Sequence, residues 1–141
     1  MSANLNLVRS IYADWERGDF SRSDWANPEI EYGSVGGPDP GMWTGVAAMA
    51  ERWGEWLHAW RDFRAVPQEY LVVDGERVLV LVQNTGQGKT SELGLVQQSV
   101  ANLFQLRDGK VTRLVIYFDR DRAFADLGLA REGEAGEPWN S

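Results

Sequence analysis

The chain has 141 residues, 43% of them hydrophobic and 25% charged, ordinary values for one globular domain large enough to bury a core. A formal net charge of −7 argues against a general nucleic-acid binder and against anionic membrane surfaces, because no basic cluster is present to meet phosphate. The absence of cysteine excludes disulfides, thiolate metal sites and cysteine nucleophiles, and a lone histidine leaves little scope for imidazole ligation.

The N-terminus carries no basic segment followed by an apolar run. No stretch approaches the length of a membrane span, so a soluble cytoplasmic protein is expected. Val8, Ile11, Tyr12 and Trp15 recur at helical spacing and Gly18 follows as a stop, which predicts a helix over 4–17. A second, short helix is predicted over 21–26, ended by Asn27-Pro28. Glu29 to Tyr32 alternates as a short strand, and "GSVGGPDPGMWTG" reads as a loop.

The helical period returns at Val46. Val46, Met49, Trp53, Trp56, Leu57 and Trp60 form one stripe, with Ala47, Glu51, Glu55 and His58 on the other side. Two Asp-Gly pairs then sit between apolar runs: Phe63–Val73 against Arg77–Asn84, and Leu95–Arg107 against Lys110–Asp119. Asp-Gly in that setting predicts hairpins. A last helix over 120–127 closes at Gly128, and the Gly/Glu-rich tail 131–141 is expected to be flexible, leaving 1–130 as the single domain. Helices gathered early and strands late predict an α+β fold, with three N-terminal helices on one face of a curved antiparallel sheet and a short C-terminal helix.

Some apparent motifs fail. "GQGKTS" invites a phosphate-loop reading, but Gln83 stands where that motif needs its first glycine, and a strand follows where a helix is needed. His58 shares a helix face with Glu51 and Glu55, so a solvated side chain is expected rather than a member of a Ser-His-Asp triad. No metal site and no cofactor are expected. The three closely spaced indoles suit a large core or the wall of an apolar cavity, and the pattern leaves both open.

The last hairpin is the most informative segment. An uninterrupted ladder from Asp108-Gly109 pairs Phe104 with Arg113, Asn102 with Val115, Val100 with Tyr117, and Gln98 with Asp119. Gln98, Asn102, Arg113, Tyr117 and Asp119 then share one face, and Ala101, Leu103, Leu114, Ile116 and Phe118 the other. Either face could lie under the helices.

"SVANLFQLRDGKVTRLVIYFDRDRAFADLGL" resembles the C-terminal signature of SnoaL-like proteins, in the nuclear-transport-factor-2-like superfamily. The likeness rests on Arg107-Asp108-Gly109-Lys110 at the turn, Tyr117, Asp119-Arg120, and Gly128-Leu129. "ERGDF" and "NPEIEY" upstream also fit. The resemblance implies a cone-shaped α+β fold around a deep apolar pocket, commonly in a homodimer. Relatives include ketosteroid isomerases, polyketide cyclases, epoxide hydrolases and dehydratases, so the fold alone names no reaction.

Carried over position by position, the base aspartate of the ketosteroid isomerases falls on Gly33. Their helix-one oxyanion tyrosine falls on Ile11, with Tyr12 one position off, and their second donor falls on Asn102. That mechanism is therefore not expected here, but the match turns the Asn102 face inward. The late aspartate of SnoaL-type cyclases corresponds to Asp119. Burial would raise its pKa to serve as a general acid/base. The competing reading makes Asp119 a helix N-cap, and Asp121 a first-turn acid facing the helix dipole.

Two functions follow. The first is a cofactor-free acid/base enzyme of isomerase, cyclase, dehydratase or hydrolase type acting on a hydrophobic carbonyl-bearing or polycyclic compound. Asp119 would move the proton, and Tyr117 and Asn102 would hold the oxyanion. Trp53, Trp56 and Trp60 would form the wall with Gln98 and Arg113 in contact with substrate, and Tyr32 and Trp43 would stand at the mouth. The second is a ligand-binding or structural dimeric module with no turnover.

Overall fold

A computed structural model describes residues 3–20, 22–36, 40–58, 60–88 and 95–129. The order is α1 (Ala3–Glu16), β1 (Ala26–Val35), β2 (Gly41–Thr44), α2 (Val46–His58), β3 (Trp60–Val72), β4 (Arg77–Gly88), β5 (Leu95–Arg107), β6 (Lys110–Tyr117) and α3 (Arg120–Leu127). The fold is α+β: among the described residues, three helices and a six-stranded curved, unclosed sheet in the order β2-β1-β6-β5-β4-β3. The segments 89–94 and 130–141, which include Lys89, Thr90 and the expected tail, lie outside the described residues.

Helix α1 forms as its periodicity predicts. Val8, Ile11, Tyr12 and Trp15 are all buried, at the i, i+3, i+4, i+7 positions of one face turned onto β3 and β4. Gly18, at φ 84°, closes it with its N–H on the Trp15 carbonyl, a left-handed cap that costs glycine little.

Three expectations are corrected. No helix forms over 22–26; the Trp25 carbonyl accepts the Val111 N–H and Ala26 pairs with Val111, so this backbone is committed to β6. Among the described residues the N-terminal helices thus number two, and the third helix, α3, follows β6. The Gly/Pro-rich loop contains β2, paired antiparallel to β1. Finally the sheet is mixed, because β1 runs parallel to β6. The crossover needed for parallel pairing is supplied by everything from β2 to β5.

The prolines obey the ladder. Pro67 sits in β3, an edge strand, beside a register shift between Pro67 and Glu69, and Pro28 falls in the irregularity between Ala26 and Glu31. Neither position asks for the missing N–H. Both Asp-Gly hairpins form where predicted. Asp108 and Gly109 adopt φ 54° and 75°, and Arg107 pairs with Lys110.

Beyond that turn the expected register fails by one residue. Leu106 pairs with Val111 but Gln105 pairs with Arg113, so Thr112 is the extra residue of a bulge and its hydroxyl donates to the Gln105 carbonyl at 3.1 Å. A shift of one residue sends every later side chain to the opposite face. Asn102 pairs with Ile116 and Phe104 with Leu114 on the concave face, whereas Tyr117 pairs with Ala101 and Val115 with Leu103 on the convex face. Two cores result. The concave one gathers Val8, Tyr12, Trp15, Val80, Val82, Val100, Phe104, Leu114 and Ile116; the convex one gathers Leu79, Ala101, Leu103, Val115 and Tyr117 under Ala123 and Phe124 of α3.

Arg120 ties three strands together. Its guanidinium donates to the carbonyls of Val100 on β5 and Val82 on β4, and to Gln68 Oε1 on β3. Charge-assisted bonds of this kind are stronger than neutral ones.

Candidate functional site

The concave face of the sheet does not meet α2 closely. Of α2 only Met49 is fully buried, while Trp53 and Trp56 stay half-buried because they face space rather than core. That space is a cavity of about 310 Å³. Trp15 of α1, Trp53 and Trp56 of α2, Trp43 of β2 and Tyr32 of β1 form its aromatic walls. Ala65, Asn84, Asn102 and Ile116 of the sheet form its floor, with Phe118 beyond the end of β6. The rings hold one another edge-on or tilted: Trp15 and Trp53 lie 5.6 Å apart between centroids, and Trp56 and Phe118 lie 5.9 Å apart. A rigid aromatic wall therefore borders a half-open volume.

Polar groups are few and placed with care. Asn84 and Asn102 are the buried polar side chains among the described residues, and both line the cavity. Asn102 Nδ2 donates to the Tyr12 hydroxyl at 2.7 Å, while Asn102 Oδ1 is buried without a hydrogen-bond partner. Such an orphaned acceptor costs free energy unless something completes it. Burial holds the Tyr12 pKa well above its ordinary value, only partly opposed by the bond from Asn102. Tyr32 is likewise pushed up by burial, with the nearby Arg52 cation pulling the other way. Both phenols are neutral donors at physiological pH.

Arg52 and Glu55 mark the solvent end. The Arg52 guanidinium lies over the Trp43 ring at 4.0 Å from its centroid and 3.7 Å from Glu55 Oε1. Glu55, expected on the outer side of α2, lines the cavity with its side chain largely in water. His58 is exposed, as its helix face implies. No group of three or more metal-ligating side chains converges among the described residues.

The expected site residues divide. Tyr32, Trp43, Trp53, Trp56 and Asn102 line the cavity; Asp119, Tyr117, Trp60, Gln98 and Arg113 do not. Asp119 is the exposed N-cap of α3, its Oδ1 accepting from the Asp121 N–H at 2.9 Å. Tyr117 turns away through the Thr112 bulge and approaches Asp126 Oδ2 at 3.3 Å on the convex side. Arg113 leaves by the same bulge and faces Glu31 at 3.9 Å. Trp60 is not on α2 at all: the helix ends at His58 and Trp60 opens β3, where its ring packs on Trp56 and Phe63. Gln98 stays on the concave face opposite Asn84, half-buried, with Oε1 unpartnered.

Asp119→Ala is expected to lower stability by about 1 kcal/mol, and Asp119→Asn by much less, since asparagine caps as well. Thermal unfolding would show it. Equal losses for the two variants would contradict a purely capping role.

Gly33 bears on the acid/base question. It lines the cavity, and a Cβ there would lie 1.9 Å from the Gly41 carbonyl oxygen. No aspartate fits that position without moving β2. The residues missed in the sequence are Trp15, Asn84 and Arg52; the helix-one stripe carries Tyr12 and Trp15 without marking either as part of the site, and the family match leaves Tyr12 one position off the oxyanion tyrosine.

Comparison with known proteins places these features in a family. The SnoaL-like domain family matches residues 8–114, most of the chain. No curated protein matches. Among solved structures, an NTF2-like protein of unknown function from Burkholderia pseudomallei K96243 superposes with a TM-score of 0.72 at 18% identity, covering 89% of this chain and 97% of its own. TerC, co-crystallised with polyporic acid, gives 0.70 at 25% identity, covering 89% and 98%. A protein described as a polyketide cyclase on provisional grounds, from Xanthomonas campestris pv. campestris, gives 0.65 at 20% identity, covering 89% and 96%. No helix among the described residues is long and apolar enough to cross a membrane. A mixed, unclosed sheet wrapped around an aromatic cavity, together with the match over residues 8–114, makes this chain a member of the SnoaL-like family with the NTF2-like fold.

Proposed function

We propose that this protein binds a small, flat aromatic or polycyclic compound in the cavity between α2 and the concave sheet, as a ligand-binding module. The observation that carries the reading is the conjunction of indole walls with a buried amide acceptor, Asn102 Oδ1, that the protein itself leaves unpaired. A volume of about 310 Å³ lies at the small end of ligand pockets and suits roughly two or three fused rings. The crystallisation of TerC with polyporic acid supports an aromatic ligand.

The acid/base alternative finds less support. Asp119 serves as a cap, Gly33 has no room for a carboxylate, and Glu55 is the acid among the described lining residues, with its side chain 63% exposed.

Titration with polyporic acid and with neutral fused-ring ketones, followed by tryptophan emission, tests the proposal. Saturable quenching is expected, and Ala65→Phe, which projects a ring into the floor, should weaken it at least tenfold while the circular dichroism spectrum is kept. Absence of saturable binding by every aromatic compound, or binding indifferent to the Ala65 change, would overturn it.

A further inference from the structure

Resting on the aromatic-ligand reading, the cavity floor narrows the class of ligand. Among the described residues two side-chain acceptors are buried without a partner, Gln98 Oε1 and Asn102 Oδ1, both on the concave face of β5. They are not equivalent. Gln98 stands directly opposite Asn84, and side chains so paired have Cβ atoms about 5 Å apart, so a change of rotamer lets the Asn84 amide complete it. Asn102 has Val80 opposite it on β4 and Ile116 opposite it on β6. Val100 and Phe104, both buried, flank it on the same face of its own strand. None of these side chains carries a donor.

The N–H end of the Asn102 amide is already spent on the Tyr12 hydroxyl at 2.7 Å. Turning the amide end for end would let its oxygen accept from Tyr12, but would set the NH2 group among the same apolar side chains. A buried N–H left unpaired is rarer than an under-satisfied carbonyl, so the observed orientation is the less costly one. Asn102 also lines the cavity, so a donor brought there by a ligand is what remains to complete it. Other lining groups make no such demand. The Asn84 amide both donates and accepts, and the Tyr32 phenol, kept protonated by burial, can do either.

We infer that Asn102 is a specificity-determining residue that accepts a hydrogen bond from the ligand, and that the ligand is a hydroxylated aromatic, a neutral phenol joined to a fused ring system. The position that the ketosteroid isomerase resemblance gives to an oxyanion donor thus acts here as an acceptor. A ketone or an ionised phenolate has no proton to offer it, and either would bring an oxygen lone pair against the Asn102 oxygen.

Calorimetric titration with a matched set separates this inference from the reading beneath it. The set is 2-naphthol, 2-methoxynaphthalene and 2-methylnaphthalene, which share one ring system while the naphthol alone donates. On the wild-type chain the naphthol is expected to bind about tenfold or more tightly than either of the others, because its donor completes a buried acceptor. Asn102→Leu, close in size and without an acceptor, should bring the three affinities together. Should that variant fail to fold, the combined Tyr12→Phe, Asn102→Leu chain, which removes both polar partners, gives the same comparison. Equal binding of naphthol and its methyl ether by the wild type, tighter binding of the ether, or a preference for naphthol that survives loss of the Asn102 amide would each overturn the inference and leave the aromatic pocket standing. Failure of all three compounds to bind would remove both.

Discussion

Trp15→Ala is expected to lower the free energy of unfolding by about 3–5 kcal/mol, the range for deleting a fully buried large aromatic side chain. Trp15 is 3% exposed and stands at the junction of the core and the cavity. Its ring meets Tyr12, Phe20, Trp25, Trp53 and Phe104, with centroids between 5.0 and 6.4 Å. No neighbour can fill the hole without leaving its own contacts, since the same rings are braced by others, as Trp53 is by Phe63 and Tyr32. Urea unfolding followed by far-ultraviolet circular dichroism measures the loss. A cost under about 1 kcal/mol would mean that the site collapses freely and that the aromatic frame is not rigid. Trp56→Ala is a useful contrast: Trp56 is half-buried and borders open volume, so its removal should cost clearly less.

The second expectation concerns the Tyr12–Asn102 pair. Tyr12→Phe removes the acceptor of the Asn102 Nδ2 bond and leaves a buried amide with neither end satisfied, a loss of about 1–3 kcal/mol. Replacing both residues, as Tyr12→Phe with Asn102→Leu, removes the polar groups together. It should cost less than the sum of the single changes, a coupling read from a double-mutant cycle. Strict additivity would show that the 2.7 Å contact contributes nothing.

Alkali gives an independent check. Tyr12 is held neutral in the fold, its pKa raised by burial above the unfolded value of 10.0. The unfolded chain therefore loses this proton first. The contribution is complete below pH 10.0 and declines as pH rises from there towards the higher folded pKa, by about 1.4 kcal/mol per pH unit for one such group. In Tyr12→Phe the alkaline decline should be shallower than in the wild type. A parallel decline in both would place the sensitivity elsewhere, Tyr32 being the next buried phenol.

Much of the fold is legible locally. The stripe on α1, the Gly18 stop, both Asp-Gly turns and the Gly128 cap each depend on residues within a few positions of one another, so their signals survive in one dimension. The errors share a cause. Segment 22–26 carries weak helical features but spends its backbone on β6, a partner more than eighty residues away. Trp60 continues the α2 period in sequence, yet its backbone pairs with Gly88 of β4. Propensity yields wherever a distant strand offers a full ladder.

The candidate site shows the same division more sharply. Two indoles of α2, the Tyr32 ring and the Asn102 amide were visible as residue types with a common direction. Tyr117 and Asp119 were not separable from them, because a single extra residue at Thr112, with nothing in its local sequence to announce it, reverses every side chain after it. Arg52 and Asn84 gave no periodic signal; each becomes notable only once its neighbours are known.

The amino-acid order by itself settled the helix-one stripe, the two tight turns, the acidic cysteine-free composition and the family signature, since these need only nearest neighbours or a count. The tertiary structure alone decided which face of β6 looks inward, that Asp119 closes a helix instead of entering the cavity, and that Arg52 and Asn102 share one volume. The reason is that facing and enclosure are properties of register between strands far apart in the chain, and register is set by the whole sheet at once.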